Sequence, residues 1–340
     1  MIFKRRRKMV PTDAIAAFWA WWAGARPRAE KMIAGATDET LVEEISGRVA
    51  AIHPDLHWEF TAGTTSRHLL VVSPGGTPEL RSLAERWRRE GPAPDETFGY
   101  AAARQGRPDA LAGARLAING HHLDLDELRF HAAHDEDRDC VDVEVWHPAF
   151  AGLPEEARGQ IAFLALDWLL GEDTVEIWVG AIDAVTTTPG GGLTGPELAA
   201  LVTAMQPADG EPRWRNMSGI RAGKPILAMA QTRLRPARWP GHDLHIRMDV
   251  PYSSRDENGF PERETLARLH AFEDHVAQHA DGMVVVAHET TDGVRTTHLY
   301  ADSPVAAEVL KPLTEGWQDG RVRITVTPDP RWEQVEHLAP

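Results

Sequence analysis

The sequence predicts an α+β protein, and three observations carry that reading. Segments of helical and of strand periodicity alternate along the whole chain. Before Gln206 the order strand, strand, helix, strand occurs twice. The last part of the chain then reads strand, helix, strand, strand, helix, strand, with little left over.

Residues 1–11 form a basic tail around the run Lys4 to Lys8. Thr12 or Asp13 then caps a helix bearing Phe18, Trp19, Trp21 and Trp22. Aromatic residues at helical spacing belong to cores, so this side is expected to pack on the domain. Beside the basic run, the same residues also allow peripheral membrane contact through the N-terminus. Met9 to Trp22 lacks the length and cleavage pattern of a signal peptide, so an unprocessed N-terminus is expected. Asp38 to Ala51 predicts a helix with Leu41, Ile45, Val49 and Ile52 on one side. Strands follow at Trp58 to Ala62 and His68 to Ser73, then a helix from Pro78 to Arg89 and a strand from Thr97 to Ala103. In the second round, Asp126 to His134 and Cys140 to His147 form a hairpin and Pro154 to Leu170 a helix. Thr174 to Val185 reads as a long strand, and Pro196 to Met205 as a closing helix. Residues 12–206 are therefore expected to be one N-terminal α+β domain of two strand-strand-helix-strand halves. Residues 207–212, where proline, glycine and charge replace periodicity, form the expected linker.

Beyond the linker, Trp214 to Ile220 and Pro225 to Leu234 suggest a hairpin. Leu244, Ile246, Met248 and Val250 alternate with His245, Arg247 and Asp249, the period of a strand with one buried face. Pro261, followed by Glu262 and Glu264, suits a helix start, and Leu266, Leu269, Phe272 and Val276 recur at helical spacing. Met283 to Glu289 and Val294 to Tyr300 make a hairpin about Asp292-Gly293, residues that tolerate the positive φ of a type I′ turn. Ser303-Pro304 opens a helix that Pro312 should end or kink near Lys311. Val322, Ile324 and Val326 give the last strand, stopped by Pro328 and Pro330. This order predicts a C-terminal ferredoxin-like α/β sandwich over residues 213–335. Its helices cover one sheet face and leave the other to solvent, to a partner or to the N-terminal domain. A two-residue turn puts Thr296, His298 and Tyr300 on a face with Glu289, joined by the alternate residues of the first strand. The partner-binding candidates are His245, Arg247, Glu289, His298 and Tyr300.

Composition narrows the functional classes. With 340 residues and 42% hydrophobic content the chain is long enough for two domains. Its net charge of −15 disfavours general nucleic-acid binding, because phosphate attraction is not built into the whole surface. Cys140 is the single cysteine, which excludes an intrachain disulfide and fits a cytoplasmic location. No apolar run is long enough for a transmembrane segment.

The chemical motifs are weak. Gly190, Gly192 and Gly195 satisfy G-x-G-x-x-G, yet no apolar strand follows before the linker, so a plain connection is expected. His131 and His134 lie an odd number of residues apart in a hairpin and point to opposite faces, as do the adjacent His121 and His122. The acidic run at Asp135 lacks the glycine and the terminal glutamate of a calcium loop. Cys140 has no recognisable base for nucleophilic work. No catalytic residue, metal or cofactor is assigned.

The C-terminal part resembles the bacterial domain-of-unknown-function family 695. The residues that carry the likeness are Gly223-Lys224-Pro225, Leu244 to Tyr252, Asn258-Gly259-Phe260-Pro261 and above all Val286 to Tyr300. The helix-hairpin-helix portion is also similar to the ribonuclease E regulator B family, whose ferredoxin-like members act by binding the nuclease. The resemblance implies the fold and supplies no active site. The expected function is therefore a cytoplasmic, non-catalytic regulatory or protein-interaction module with an unknown protein partner. A hydrolase with its site between the two domains is the alternative.

Overall fold

The computed structural model describes residues 11–118, 121–188, 190–206 and 212–339. The basic run Lys4 to Lys8 and all of the expected linker but Pro212 lie outside them. The protein is a mixed α+β chain, and its contacts gather into two compact units. One takes the residues up to Gly106 together with Gly171–Asp173, and the other takes Arg107–Leu170 and the residues from Thr174 onward. Residues 107–170 thus group with the C-terminal part, whereas the sequence had placed them with residues 12–106.

The first unit begins with α1 (Pro11–Ile33) and α2 (Glu39–Ile52), the latter capped by Asp38, whose carboxylate accepts from Leu41 N at 2.9 Å. Strands β1 (His57–Ala62) and β2 (His68–Ser73) pair antiparallel. Helix α3 (Arg81–Arg89) returns the chain to β3 (Phe98–Ala101), which runs parallel to β2. Ile15, Phe18 and Trp22 of α1 join Leu41, Ile45 and Val49 of α2, Trp87 and Phe98 in the core. Trp19 donates from Nε1 to the Trp87 carbonyl at 2.8 Å. The aromatic side of α1 is therefore taken up by packing, as its helical spacing implied. Among the described residues no helix is long and apolar enough to cross a membrane.

The second unit opens with a hairpin the sequence did not reveal, β4 (Arg115–Ile118) and β5 (His121–Asp124). The expected hairpin follows as β6 (Arg129–Asp135) and β7 (Cys140–Trp146), then α4 (Glu155–Leu170). Thr174 to Val185 is not one strand: α5 (Glu172–Trp178) precedes β8 (Val179–Val185), which runs parallel to β7. Gly171, at φ +84°, ends α4, and Val175 and Trp178 reach the core at helical spacing, so burial overrides the strand preference of the β-branched run. Helix α6 (Gly195–Met205) starts with a capping box between Thr194 and Glu197. A Cβ at Gly195 would come within 2.8 Å of Leu169, so this glycine serves close packing. The two sheets β1-β2-β3 and β6-β7-β8 share one pattern, an antiparallel pair followed by a parallel third strand.

The same unit continues into a six-stranded sheet. Strands β9 (Trp214–Arg221) and β10 (Lys224–Gln231) form a ribbon, followed by β11 (Leu244–Pro251) and α7 (Arg263–Gln278). Then come β12 (Met283–Thr291), β13 (Val294–Ala301), α8 (Val305–Thr314) and β14 (Arg323–Pro328). The expected strand-helix-strand-strand-helix-strand order is present. The sheet order is β14-β11-β13-β12-β10-β9, and every pairing is antiparallel. Asp292 and Gly293 have φ of +45° and +82°, as the type I′ turn requires. Helix α7 starts two residues after Pro261, and α8 runs past Pro312 to Thr314, because a proline in the last turn forfeits one bond and the helix ends within three residues. Leu269, Phe272 and Val276 of α7 and Ala306, Ala307 and Leu310 of α8 pack with Ile246, Met248, Val250 and Leu299 on one sheet face.

Asp139, in the β6–β7 turn, ties the two parts of this unit together. It accepts from Arg233, from Arg213 at 2.9 Å and from Thr232 at 3.2 Å. The Arg233 guanidinium also lies 3.9 Å from the centre of the Trp178 ring.

Candidate functional site

The sheet face away from the helices carries the residues the sequence singled out. Arg247 lies opposite His298, and His245 opposite Tyr300, across β11 and β13, and Glu289 lies opposite Thr296 across β12 and β13. A β-bulge between Val285 and Ala287 inserts one residue into β12, so that Val284 faces Tyr300 while Ala287 faces His298. The Val285 carbonyl at this bulge accepts from the buried Gln231 side chain at 2.6 Å.

Four of the five candidates are buried, and three of them, His245, His298 and Glu289, form a chain of polar contacts. His245 Nε2 meets His298 Nδ1 at 3.0 Å, and His298 Nε2 meets a Glu289 oxygen at 3.3 Å. Glu289 also accepts two bonds from Arg221 and one from His337, at 2.9 Å. Tyr300 donates its hydroxyl to Asp329 at 2.6 Å. Arg247 stands apart: it is exposed and pairs with Asp249 at 2.8 Å.

The cover over this face is the segment after β14, unforeseen in the sequence. Asp329 accepts from the backbone of Glu333 and Gln334 and so starts a 3-10 turn, Glu333–Leu338. Trp332 stacks on Tyr300 with centroids 3.9 Å apart, lies against Trp239 on the way at 5.3 Å, and donates to the His242 carbonyl. Val335 and Leu338 complete an apolar cluster with Ala230, Leu234, Val286 and Ala287. The face is therefore closed by its own chain, and His245, Glu289, His298 and Tyr300 do not form an open surface.

Electrostatics follows from this closure. Burial pushes Glu289 up, but His298, His337 and Arg221 outweigh it and hold the carboxyl far below the usual range. Burial, with His298 beside it, pushes His245 down to about 4. Burial also lowers His298, against the pull of Glu289. Burial and Asp329 raise the Tyr300 phenol well above its ordinary value, so it remains a donor. The network is one ionised carboxylate among cationic and neutral donors.

The opposite, helix-bearing face holds a second network that the sequence did not disclose. Glu273 of α7 receives Arg295 through two nitrogens, at 2.7 and 3.1 Å, and lies 2.9 Å from His288 Nδ1. Burial pushes Glu273 up, yet His288 and Arg295 hold it at about 2. Thr297 adds a 3.3 Å contact to the same imidazole nitrogen, and Trp214 stacks on the ring at 5.9 Å. The available hint was Glu273 beside Phe272 on the inner side of α7, but periodicity does not say which strand residue it meets.

The other sequence motifs stay dispersed. His131 lies 3.7 Å from Glu144 and His134 lies 3.8 Å from Asp139. Cys140 is buried, and burial raises its thiol, the opposite of activation.

Fold and networks together define an α+β protein whose C-terminal part is a helix-backed antiparallel sheet with a closed polar face. That part, residues 213–338, matches the model of a family of unknown function (DUF695). The likeness to the ribonuclease E regulator B family is not shown by this match. No curated protein and no solved structure matches the chain.

Proposed function

We propose that this protein works as a non-catalytic protein-interaction module of regulatory type, acting through the β9–β10 ribbon of its C-terminal sheet. The supporting observation is that three large apolar side chains of this ribbon reach solvent, Ile220 with the highest exposure of any large apolar residue described. Trp214, Ile220 and Leu227 are 38%, 79% and 48% exposed. Leu227 pairs with Ser218 and Thr290, and Met229 with Asn216 and His288, which sets Trp214, Ile220 and Leu227 on the helix-bearing side of the sheet. Exposed apolar side chains gathered at a sheet edge mark a contact surface. In this reading the ferredoxin-like sandwich is the scaffold, supported by its strand order, and the module operates in the cytoplasm. The buried candidates His245, Glu289, His298 and Tyr300 hold that scaffold closed, and Arg247 is the one candidate available to a partner.

The test compares the wild-type protein with an Ile220→Lys, Leu227→Lys double variant of equal circular dichroism. Proteins cross-linked to the wild type, purified and re-bound, should lose affinity for the variant at least tenfold. Partners retained at full affinity would reject the surface.

One observation favours a second reading, a hydrolase. His288 is oriented by Glu273 through Nδ1, and its Nε2 makes no hydrogen bond among the described residues, the arrangement of a carboxylate-positioned general base. Turnover of a generic ester by the wild type, abolished in His288→Gln, would support it. Equal rates in both proteins would remove it.

A further inference from the structure

We infer that β9 is a strand-addition edge that accepts an extended partner segment in which acidic and apolar residues alternate. The inference rests on the interaction-module reading and names the partner's chemistry.

The six-stranded sheet has two edges, and they differ in how they are protected. Strand β14 is six residues long, opens on Arg323 and closes on Pro328. Strand β9 is eight residues long, pairs with β10 through all eight in unbroken register, and contains neither proline nor bulge. Proteins ordinarily blunt such edges with proline, bulges or short strands, because unpaired backbone groups recruit other chains. A long, regular edge is a template for main-chain pairing.

The side chains of β9 specify what it would pair with. On the helix-bearing side the edge reads Trp214, Asn216, Ser218, Ile220, apolar at its two ends, with Leu227 behind Ser218. On the other side stand Arg215 and Arg221, at alternate positions of the same strand as Met217 and Gly219. Arg215 donates to the Asp137 carbonyl, an uncharged partner, whereas Arg221 is already ion-paired with Glu289 through two nitrogens and offers a further carboxylate only the 43% of its side chain that stays exposed. Cross-strand neighbours favour apolar against apolar and opposite charge against charge. A segment laid along β9 therefore fits best with apolar residues toward Trp214 and Ile220 and carboxylates toward Arg215 and Arg221. A second copy of β9 fits badly: antiparallel pairing centred on Ser218 sets Arg215 of each copy opposite Arg221 of the other.

The experiment uses the full chain and three labelled synthetic peptides: an alternating valine–glutamate octamer, its valine–lysine counterpart, and the first peptide interrupted by proline. Fluorescence anisotropy should show the valine–glutamate peptide binding at least tenfold more tightly than either other peptide. Hydrogen exchange should slow across residues 214–221 on binding, Ile220→Lys should weaken binding tenfold, and Arg215→Glu should reverse the charge preference. No binding, equal binding of the lysine peptide, or protection confined to other strands overturns strand addition. If the cross-linked partner still depends on Ile220 and Leu227 while these peptides fail, the module stands and this mode of recognition falls. If neither depends on the ribbon, both fall.

Discussion

The two faces of the six-stranded sheet use the same residue types and put them to different ends. On the face away from the helices, His298 spends both ring nitrogens, one on Glu289 and one on His245, beneath the segment that carries Trp332 and His337. On the helix-bearing face, His288 spends one nitrogen on Glu273, and its cover is the half-exposed Trp214. A carboxylate and an imidazole thus make a closed structural clasp in one place and, in the other, a largely buried pair at the margin of an exposed ribbon. What decides is the covering element, because closure removes water and obliges every polar atom to find a protein partner.

Deleting the closed carboxylate is the strongest way to break that comparison. Glu289→Ala leaves Arg221, His298 and His337 without their acceptor, and stripping one partner from a buried charged set costs about 3–5 kcal/mol. Urea unfolding at neutral pH measures the loss. A cost below about 1 kcal/mol would show that the face is not closed in solution.

Acidification should open the same face next. His245 has a folded value of about 4 against an ordinary 6.5, so the unfolded chain binds the proton more readily between those values. Stability is then full above about pH 6.5 and falls as the pH drops toward 4, by roughly 3 kcal/mol for this group. Glu289 and Glu273 add to the slope only below the ordinary carboxylate range, since both are held low. Urea midpoints at pH 7 and pH 4.5 should differ accordingly, and His245→Gln should reduce the difference, the remainder belonging to His298, which burial also lowers. A pH-independent midpoint would mean that His245 is solvated.

Smaller still is the loss from Tyr300→Phe, which removes one charge-assisted hydrogen bond to Asp329 and keeps the stack on Trp332. About 1.5–3 kcal/mol is expected from unfolding curves, because Asp329 keeps its two backbone donors. Indistinguishable curves would show that Asp329 is satisfied without the phenol.

How much of this was legible depends on range. The strands and helices after Leu244 were readable because their alternation and the Asp292-Gly293 turn are local, and the turn also fixed that Glu289 shares a face with His298 and Tyr300. Helix α5 was not, because Val175 and Trp178 choose a helix only once the core they enter exists. The cover over the polar face lay beyond Pro328 and Pro330, which ended the strand pattern. Trp332, Val335 and Leu338, spaced by three, were its only trace. The bulge at Val286 and the meeting of Glu273 with His288 are tertiary events without local periodicity.

The smallest expected effect tests the open side of the comparison. Ile220 is 79% exposed and stands on the edge strand, so Ile220→Lys removes little buried apolar area and sets a charge in water. Substitutions at such positions stay within about 0.5 kcal/mol, and lysine on a sheet edge also opposes unwanted pairing. The urea midpoint should hold while the tendency of concentrated protein to associate, followed by light scattering, stays level or declines. A stability loss above about 1 kcal/mol would show Ile220 covered in solution, and the ribbon would then belong with the closed face.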